Sequence, residues 1–162
     1  MSTKRWRIGG RNMRVVPMRD MDELRRYIHE HRTTDLILDV EPWLVHWSEP
    51  AEVLAARMVM WQDPAFPQCT VRLCTNSTRF SPLDVTVRLI SAARKPRTAR
   101  CHLGQLGERP LVAGDLLLLD GLLARRLPAD FAWLKWRGAS PPWPRALRAA
   151  DRVAAPLLLV GR

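Results

Sequence analysis

Apolar residues gather in this chain into short runs divided by polar and turn-forming residues. Residues 20–32 carry acids in their first turn and put Leu24, Tyr27 and Ile28 on one stripe, which predicts a helix. Leu36-Ile37-Leu38 is a continuous apolar run ending at Asp39, the pattern of a strand buried in a parallel sheet. Glu41-Pro42-Trp43 breaks it, and Ser48 is placed to cap a helix reaching about Trp61, with Val53, Leu54 and Met58 on one side. Residues 63–67 read as a loop and 69–74 as a second strand, followed by polar Thr75-Asn76-Ser77-Thr78. Residues 85–91 alternate after Ser81-Pro82 and predict a short turn, then a strand. Pro96 opens a helix to about Leu106, closed by Gly107. Residues 110–113 form a strand ending at Gly114-Asp115, 116–127 a helix, 131–136 a last strand, 141–144 a turn and 145–153 a basic helix.

Strands alternating with helices predict an α/β chain: a Rossmann-like, mainly parallel sheet flanked by helices. Such sheets bind ligands beyond the carboxyl ends of their strands. Asp39, Thr75 and Asp115 each follow a predicted strand, so three polar groups are expected to converge on one edge.

The 162 residues suit one domain, and 47% hydrophobic with 26% charged residues excludes a disordered chain. We expect a basic arm over 1–18, a core over 19–140 and a basic tail helix over 141–162 packed on that core. No apolar run approaches the roughly 18–20 residues of a membrane span, and the basic N-terminus lacks the apolar stretch of a secretory signal. The expectation is a cytoplasmic protein, with peripheral contact at a membrane as an option. Cys69, Cys74 and Cys101 are too few and too scattered for a structural zinc site and read as reduced thiols.

The net charge is +10, and 23 of the 26 basic residues are Arg, so a lysine in a motif is informative. Residues 64–162 carry sixteen basic against six acidic residues, which suits an anionic partner: nucleic acid, anionic lipid or a phosphorylated substrate. A solvated basic surface following from composition explains the same numbers. Trp6, Trp133, Trp136 and Trp143 lie among basic residues. Trp133 and Trp136 read as packing residues, Trp6 and Trp143 as candidates for an exposed contact.

Two carboxylates, Asp39 and Asp115, facing one crevice need a cation between them, and hard oxygen ligands suit Mg²⁺. A carboxylate can also attack phosphorus, with the Thr75 hydroxyl and the Lys95 cation on the phosphoryl oxygens. Singly, Asp39 could cap a strand end, Thr75 begin a turn, Lys95 be a surface lysine and Asp120 lie on an exposed helix face.

Four segments resemble the motifs of haloacid dehalogenase-like (HAD) phosphatases, in order and in spacing: Asp39-Val40-Glu41-Pro42-Trp43, Cys74-Thr75-Asn76, Arg94-Lys95-Pro96, and Gly114-Asp115 followed by four leucines and Asp120. The stretch Leu44-Val45-His46-Trp47 and the Ala92-Ala93-Arg94-Lys95-Pro96 setting are similar to the YqeG-type subfamily, related to mitochondrial phosphatidylglycerophosphate phosphatases. The resemblance spans about residues 20–150. It implies a HAD core without a cap domain, Asp39 as nucleophile and Mg²⁺ ligand, and Glu41 as general acid/base and metal contact. It further implies Thr75 and Asn76 on the phosphoryl group, Lys95 on its charge, Asp115 on Mg²⁺, and Asp120 supporting the metal or Lys95. The implied substrate is a phosphorylated small molecule or lipid such as phosphatidylglycerophosphate. Two departures stand out: the second acid of the first motif is Glu41 where the family has Asp, and Trp43 stands where it has Thr. They motivate a rival expectation, an inactive HAD-fold module binding nucleic acid or a protein partner.

Overall fold

The chain runs β1 (Lys4–Trp6), β2 (Arg14–Met18), α1 (Met21–Glu30), β3 (Asp35–Leu38), α2 (Val53–Met58), β4 (Thr70–Cys74), β5 (Arg88–Ile90), α3 (Arg100–Leu103), β6 (Pro110–Gly114), α4 (Leu122–Arg126), β7 (Asp130–Leu134), α5 (Pro142–Leu158) and β8 (Leu159–Gly161). A 3-10 turn, Val59–Trp61, extends α2, and a π turn, Leu117–Gly121, leads into α4. The computed structural model describes residues 3–6, 13–61, 69–81, 83, 87–98 and 100–161. The loop expected at 63–67 lies outside them.

All eight strands form one sheet of order β5-β4-β3-β6-β7-β2-β1-β8. The six strands from β5 to β2 are parallel; β1 is antiparallel to β2 and to β8. From β3 the chain builds outward to β4 and β5, then returns to lay β6 on the other side of β3. Strand order therefore reverses between β3 and β6, the switch point where an open parallel sheet leaves a crevice at its carboxyl edge.

Each face of the sheet is covered. Leu36 and Leu38 of β3 join Leu24 and Ile28 of α1 and Leu54 and Met58 of α2 in one core. Ile37 joins Val112, Phe131, and Leu123 and Ala124 of α4 in the other. This two-sided burial is what the unbroken run of β3 requires. The α/β class and mainly parallel sheet match the sequence expectation.

Several local expectations are corrected. Residues 14–18, assigned to a basic arm, form β2, with Val15, Val16 and Met18 buried beside β7. The tail also adds β8, against β1. Ser48 caps no helix; Glu49 accepts from the His46 backbone and pairs with Arg57, holding residues 46–49 as a turn, and α2 begins at Val53. Of the helix expected over 96–106, the described residues are helical at Arg100–Leu103 alone, followed by Gly104 with φ +76°. α5 begins at Pro142, since prolines cost nothing in a first turn whose N–H groups have no helical partner. Between β3 and α2 the chain makes only turns, so no cap domain is inserted there. No helix among the described residues is long and apolar enough to cross a membrane.

Candidate functional site

Asp39 directly follows β3, and its N–H donates to the Ala113 carbonyl at 2.8 Å, extending the β3–β6 contact one residue past the strand end. Its side chain stands at the switch point. Oδ1 accepts from the Val40 N–H at 2.9 Å, and Oδ2 lies 2.7 Å from Lys95 Nζ. The same ammonium lies 2.7 Å from Asp120 Oδ1. Lys95 is thus a buried bridge between a residue after β3 and one in the π turn.

Asp120 reaches that position because the π turn is wide. Its backbone N–H and that of Gly121 both donate to Leu116 O, at 2.7 and 3.4 Å, while the Leu116 N–H donates to Asp120 Oδ2 at 3.2 Å. The side chain folds back over Gly114, where a Cβ would lie 2.2 Å from Asp120 Oδ2. Gly114 therefore precedes Asp115 because only a missing side chain leaves room for Asp120. Asp120 is 1% exposed, which excludes the surface alternative. π turns of this kind recur at functional sites.

Asp115 follows β6. Its Oδ2 accepts from Arg148 Nε at 2.9 Å and Nη2 at 2.6 Å. Arg148 comes from α5, where it also donates to Ser140 and packs 5.2 Å over the Trp47 ring. Asp151, one turn along α5, accepts from the Leu117 and Leu118 N–H groups at 2.8 and 2.9 Å. These bonds pin α5 to the π turn and set the reach of Arg148.

Two site loops meet behind Lys95. The Asn76 side chain accepts from the Lys95 N–H at 2.6 Å and donates to its carbonyl at 3.5 Å. The side-chain amide thus grips the Lys95 backbone, and Asn76 also lines the cavity described below. Thr75 is buried after β4, and its hydroxyl oxygen accepts from the Ser77 N–H at 3.1 Å, leaving the hydroxyl proton for another acceptor.

Glu41 lines the same cavity, but its carboxylate pairs with Arg79 Nη2 at 2.9 Å. Arg79 also donates to the carbonyls of His46, Trp47 and Glu49, tying the 41–49 loop together. Trp43 and Trp47 each pack edge to face with Trp136, and Trp133 Nε1 donates to the Asp115 carbonyl, so Trp133 is a packing residue as expected. Trp143 is 53% exposed at the cavity mouth. The Trp6 side chain lies outside what the structure describes.

The cavity holds about 400 Å³ and is lined by Asp39, Glu41, Thr75, Lys95 and Asp115, among others. Asp39, Asp115 and Asp120 present three carboxylates to two cations, Lys95 and Arg148. One negative charge is left over in a buried site. Burial holds the Asp39 carboxyl well above its ordinary range, against the pull of Lys95. Burial, then the neighbouring Asp120 charge, lifts Asp115 to about 6. For Lys95 burial works against the charge, but Asp120 and Asp39 together outweigh it, and the ammonium is held charged. Glu41 is raised by burial, with Arg79 opposing.

Oxygens of Asp39, Asp115 and Asp120 lie within 4.8 Å of one another. This is a hard-oxygen set bearing one excess negative charge, and it fits a divalent cation of the Mg²⁺ kind. The Glu41 carboxylate, expected as general acid/base, pairs with Arg79 and is not part of the group; the metal contact expected at this position is its backbone carbonyl. Of the expected residues the structure thus gathers Asp39, Thr75, Lys95, Asp115 and Asp120 around one point. Arg148, Asp151 and Arg79 were missed. Only Asp151 left a trace in the sequence, as the single acid in residues 131–162. Compared with protein-family models, curated proteins and solved structures, the chain gives no match.

Proposed function

We propose that this chain is a Mg²⁺-dependent phosphomonoester phosphatase of HAD type, working through an aspartyl-phosphate on Asp39. The observation that carries the reading is the Lys95 bridge: one buried ammonium 2.7 Å from both Asp39 and Asp120, with Asp115 beside them at the sheet's switch point. A structural ion pair needs one partner for a lysine. Here two carboxylates share one ammonium, which leaves one formal negative charge, and Asp115 stands beside them paired with Arg148, an arrangement suited to a phosphoryl group and a cation.

In this reading Asp39 attacks phosphorus as the ester P–O bond breaks, and the departing alkoxide takes a proton from Glu41. Water then attacks the acyl phosphate and gives its proton to Glu41, releasing inorganic phosphate and the Asp39 carboxylate. Thr75 donates its hydroxyl proton to a phosphoryl oxygen, and Lys95 balances the charge gathering on phosphate and nucleophile. Mg²⁺, when held by Asp39, Asp115 and Asp120, supplies Lewis-acid stabilisation of the phosphoryl oxygens. The short β3–α2 connection leaves the crevice open, which suits a large phosphorylated small molecule or a lipid phosphate such as phosphatidylglycerophosphate, met in the cytoplasm or at an anionic membrane surface.

The test is phosphate release from generic phosphomonoesters with and without Mg²⁺, beside Asp39→Asn. Release that needs both Mg²⁺ and Asp39 is expected; none, or release indifferent to the substitution, sinks the reading. A second reading rests on Arg148 occupying Asp115 and Arg79 occupying Glu41: an inactive HAD-fold binding module. It predicts turnover only in the Glu41→Asp, Trp43→Thr double variant.

A further inference from the structure

On the far side of the Lys95 loop lies a second, larger cavity of about 1120 Å³ along the edge strand β5. Its walls come from residues 88–98 and His102, and its charged side chains are Arg88, Arg94, Arg97, Lys95 and His102. Among the described lining residues none is acidic, and none is Phe, Trp or Tyr. Arg88, Arg94 and Arg97 are exposed, and among the described residues no carboxylate pairs with them. Five other arginines, Arg14, Arg57, Arg72, Arg79 and Arg148, by contrast hold carboxylates.

The loop that carries two of these arginines is fixed. Ala92 and Arg94 take positive φ, 48° and 55°, conformations that L side chains rarely adopt and that surrounding bonds must enforce. Those bonds are present: the Ala93 N–H donates to Thr75 O, the Thr98 hydroxyl to Ala93 O, the Arg97 N–H to Arg94 O, and Asn76 grips Lys95. The effect is to send Lys95 inward to Asp39 and leave Arg94 and Arg97 facing the groove. Arg88 joins them from β5, its guanidinium 3.1 Å from where a Cβ on Gly104 would stand.

We propose that this groove binds the phosphodiester backbone of a single-stranded nucleic acid, without base specificity. The volume exceeds the roughly 300–1,000 Å³ of small-molecule pockets, which favours a polymer. The groove is concave, and its exposed described lining is Arg88, Arg94, Arg97, His102 and the small Ala92, so a planar bilayer gains little there. With no Phe, Trp or Tyr among the described lining residues, recognition falls on phosphates, and three guanidiniums that no described carboxylate holds supply the contacts.

The probe is a labelled 12-nucleotide single-stranded RNA of mixed sequence, bound to the full chain and followed by anisotropy from 50 to 200 mM KCl. Single-strand contacts contribute about 0.7 each to the slope of log K against log salt. Replacing Arg88, Arg94 and Arg97 together with Gln is expected to flatten the slope by about 2 and weaken binding at least about tenfold at 100 mM salt. Gln at Arg19, Arg26 and Arg32, an equal charge loss around α1, is expected to change the slope by less than about 1. Each single groove variant is expected to lower it by about 0.7, which keeps the test open if the triple variant fails to fold. No binding at 50 mM salt, equal losses in both triple variants, tighter binding of a duplex of the same length, or capture by phosphatidylglycerol vesicles in place of RNA would each overturn the proposal. The assay involves no turnover, so its outcome is separate from that of the phosphatase reading.

Discussion

Arg148 and Asp115 meet at a single carboxylate oxygen: Nε and Nη2 of the arginine donate to Oδ2 at 2.9 and 2.6 Å. The arginine comes from the last helix and the acid from the end of a central strand, 33 positions apart. The Asp115 side chain is 2% exposed and the Arg148 side chain 17%. This pair neutralises one of the three carboxylates that a metal ion would share.

Arg148→Gln therefore has two expected effects. It leaves Asp115 buried and unpaired, which costs about 3 kcal/mol of stability without divalent cation. It also frees Asp115 for a cation, so Mg²⁺ should recover more stability in the variant than in the parent. Urea denaturation of both proteins with and without Mg²⁺ measures this. Equal Mg²⁺ effects would show that Arg148 and the ion do not compete.

Lys95 faces two acids at once, so removing it and removing an acid should not add. Lys95→Met leaves Asp39 and Asp120 without their cation and is expected to cost about 3–5 kcal/mol. Adding Asp120→Asn should restore about 1–2 kcal/mol, since one uncompensated charge disappears. A double-mutant cycle in urea gives the coupling. Additive costs would mean the bridge contributes nothing as a unit.

Gly114→Ala tests the close approach behind the site. A Cβ there would stand 2.2 Å from Asp120 Oδ2 and 2.8 Å from its Cβ, so the π turn must shift. A loss of about 3 kcal/mol is expected, read as a fall in thermal midpoint. A variant as stable as the parent would show that Asp120 has another place to go.

Cys74 ends β4, 1% exposed, and burial pushes its thiol from an ordinary 9.0 up to about 11. The folded state keeps the proton after the unfolded state has lost it. Its contribution is therefore intact below pH 9 and is lost as pH rises from 9 through 11. The loss amounts to roughly 2 kcal/mol. Urea midpoints at pH 8 and 10.5 should converge between the parent and Cys74→Ala as pH rises. A constant difference between them would remove the titration of this thiol from the account.

The parallel core was legible because burial on both faces writes itself as unbroken apolar runs. Leu36-Ile37-Leu38, and Leu111-Val112-Ala113 within the strand expected over 110–113, are such runs, and both became central strands. Their ends were legible too, since a polar residue after a buried strand must sit at the sheet edge, as Asp39 and Asp115 do. β2 was missed because Arg14-Val15-Val16-Pro17-Met18 is short, contains a proline and sits in a basic stretch. The helix expected after Pro96 was lost to a turn fixed from a distance by Asn76 and Thr75.

The sequence by itself determined the class of fold, the strand ends and most of the acids gathered there, because period and burial are local properties. It could not say that Lys95 would bridge Asp39 and Asp120, that Glu41 would turn to Arg79, or that Arg148 would cross from the last helix to Asp115. Those outcomes depend on contact distances between residues 25 to 56 positions apart. Only packing the helices on the two faces of the sheet sets such distances, and charge pairing in a buried crevice is decided by them.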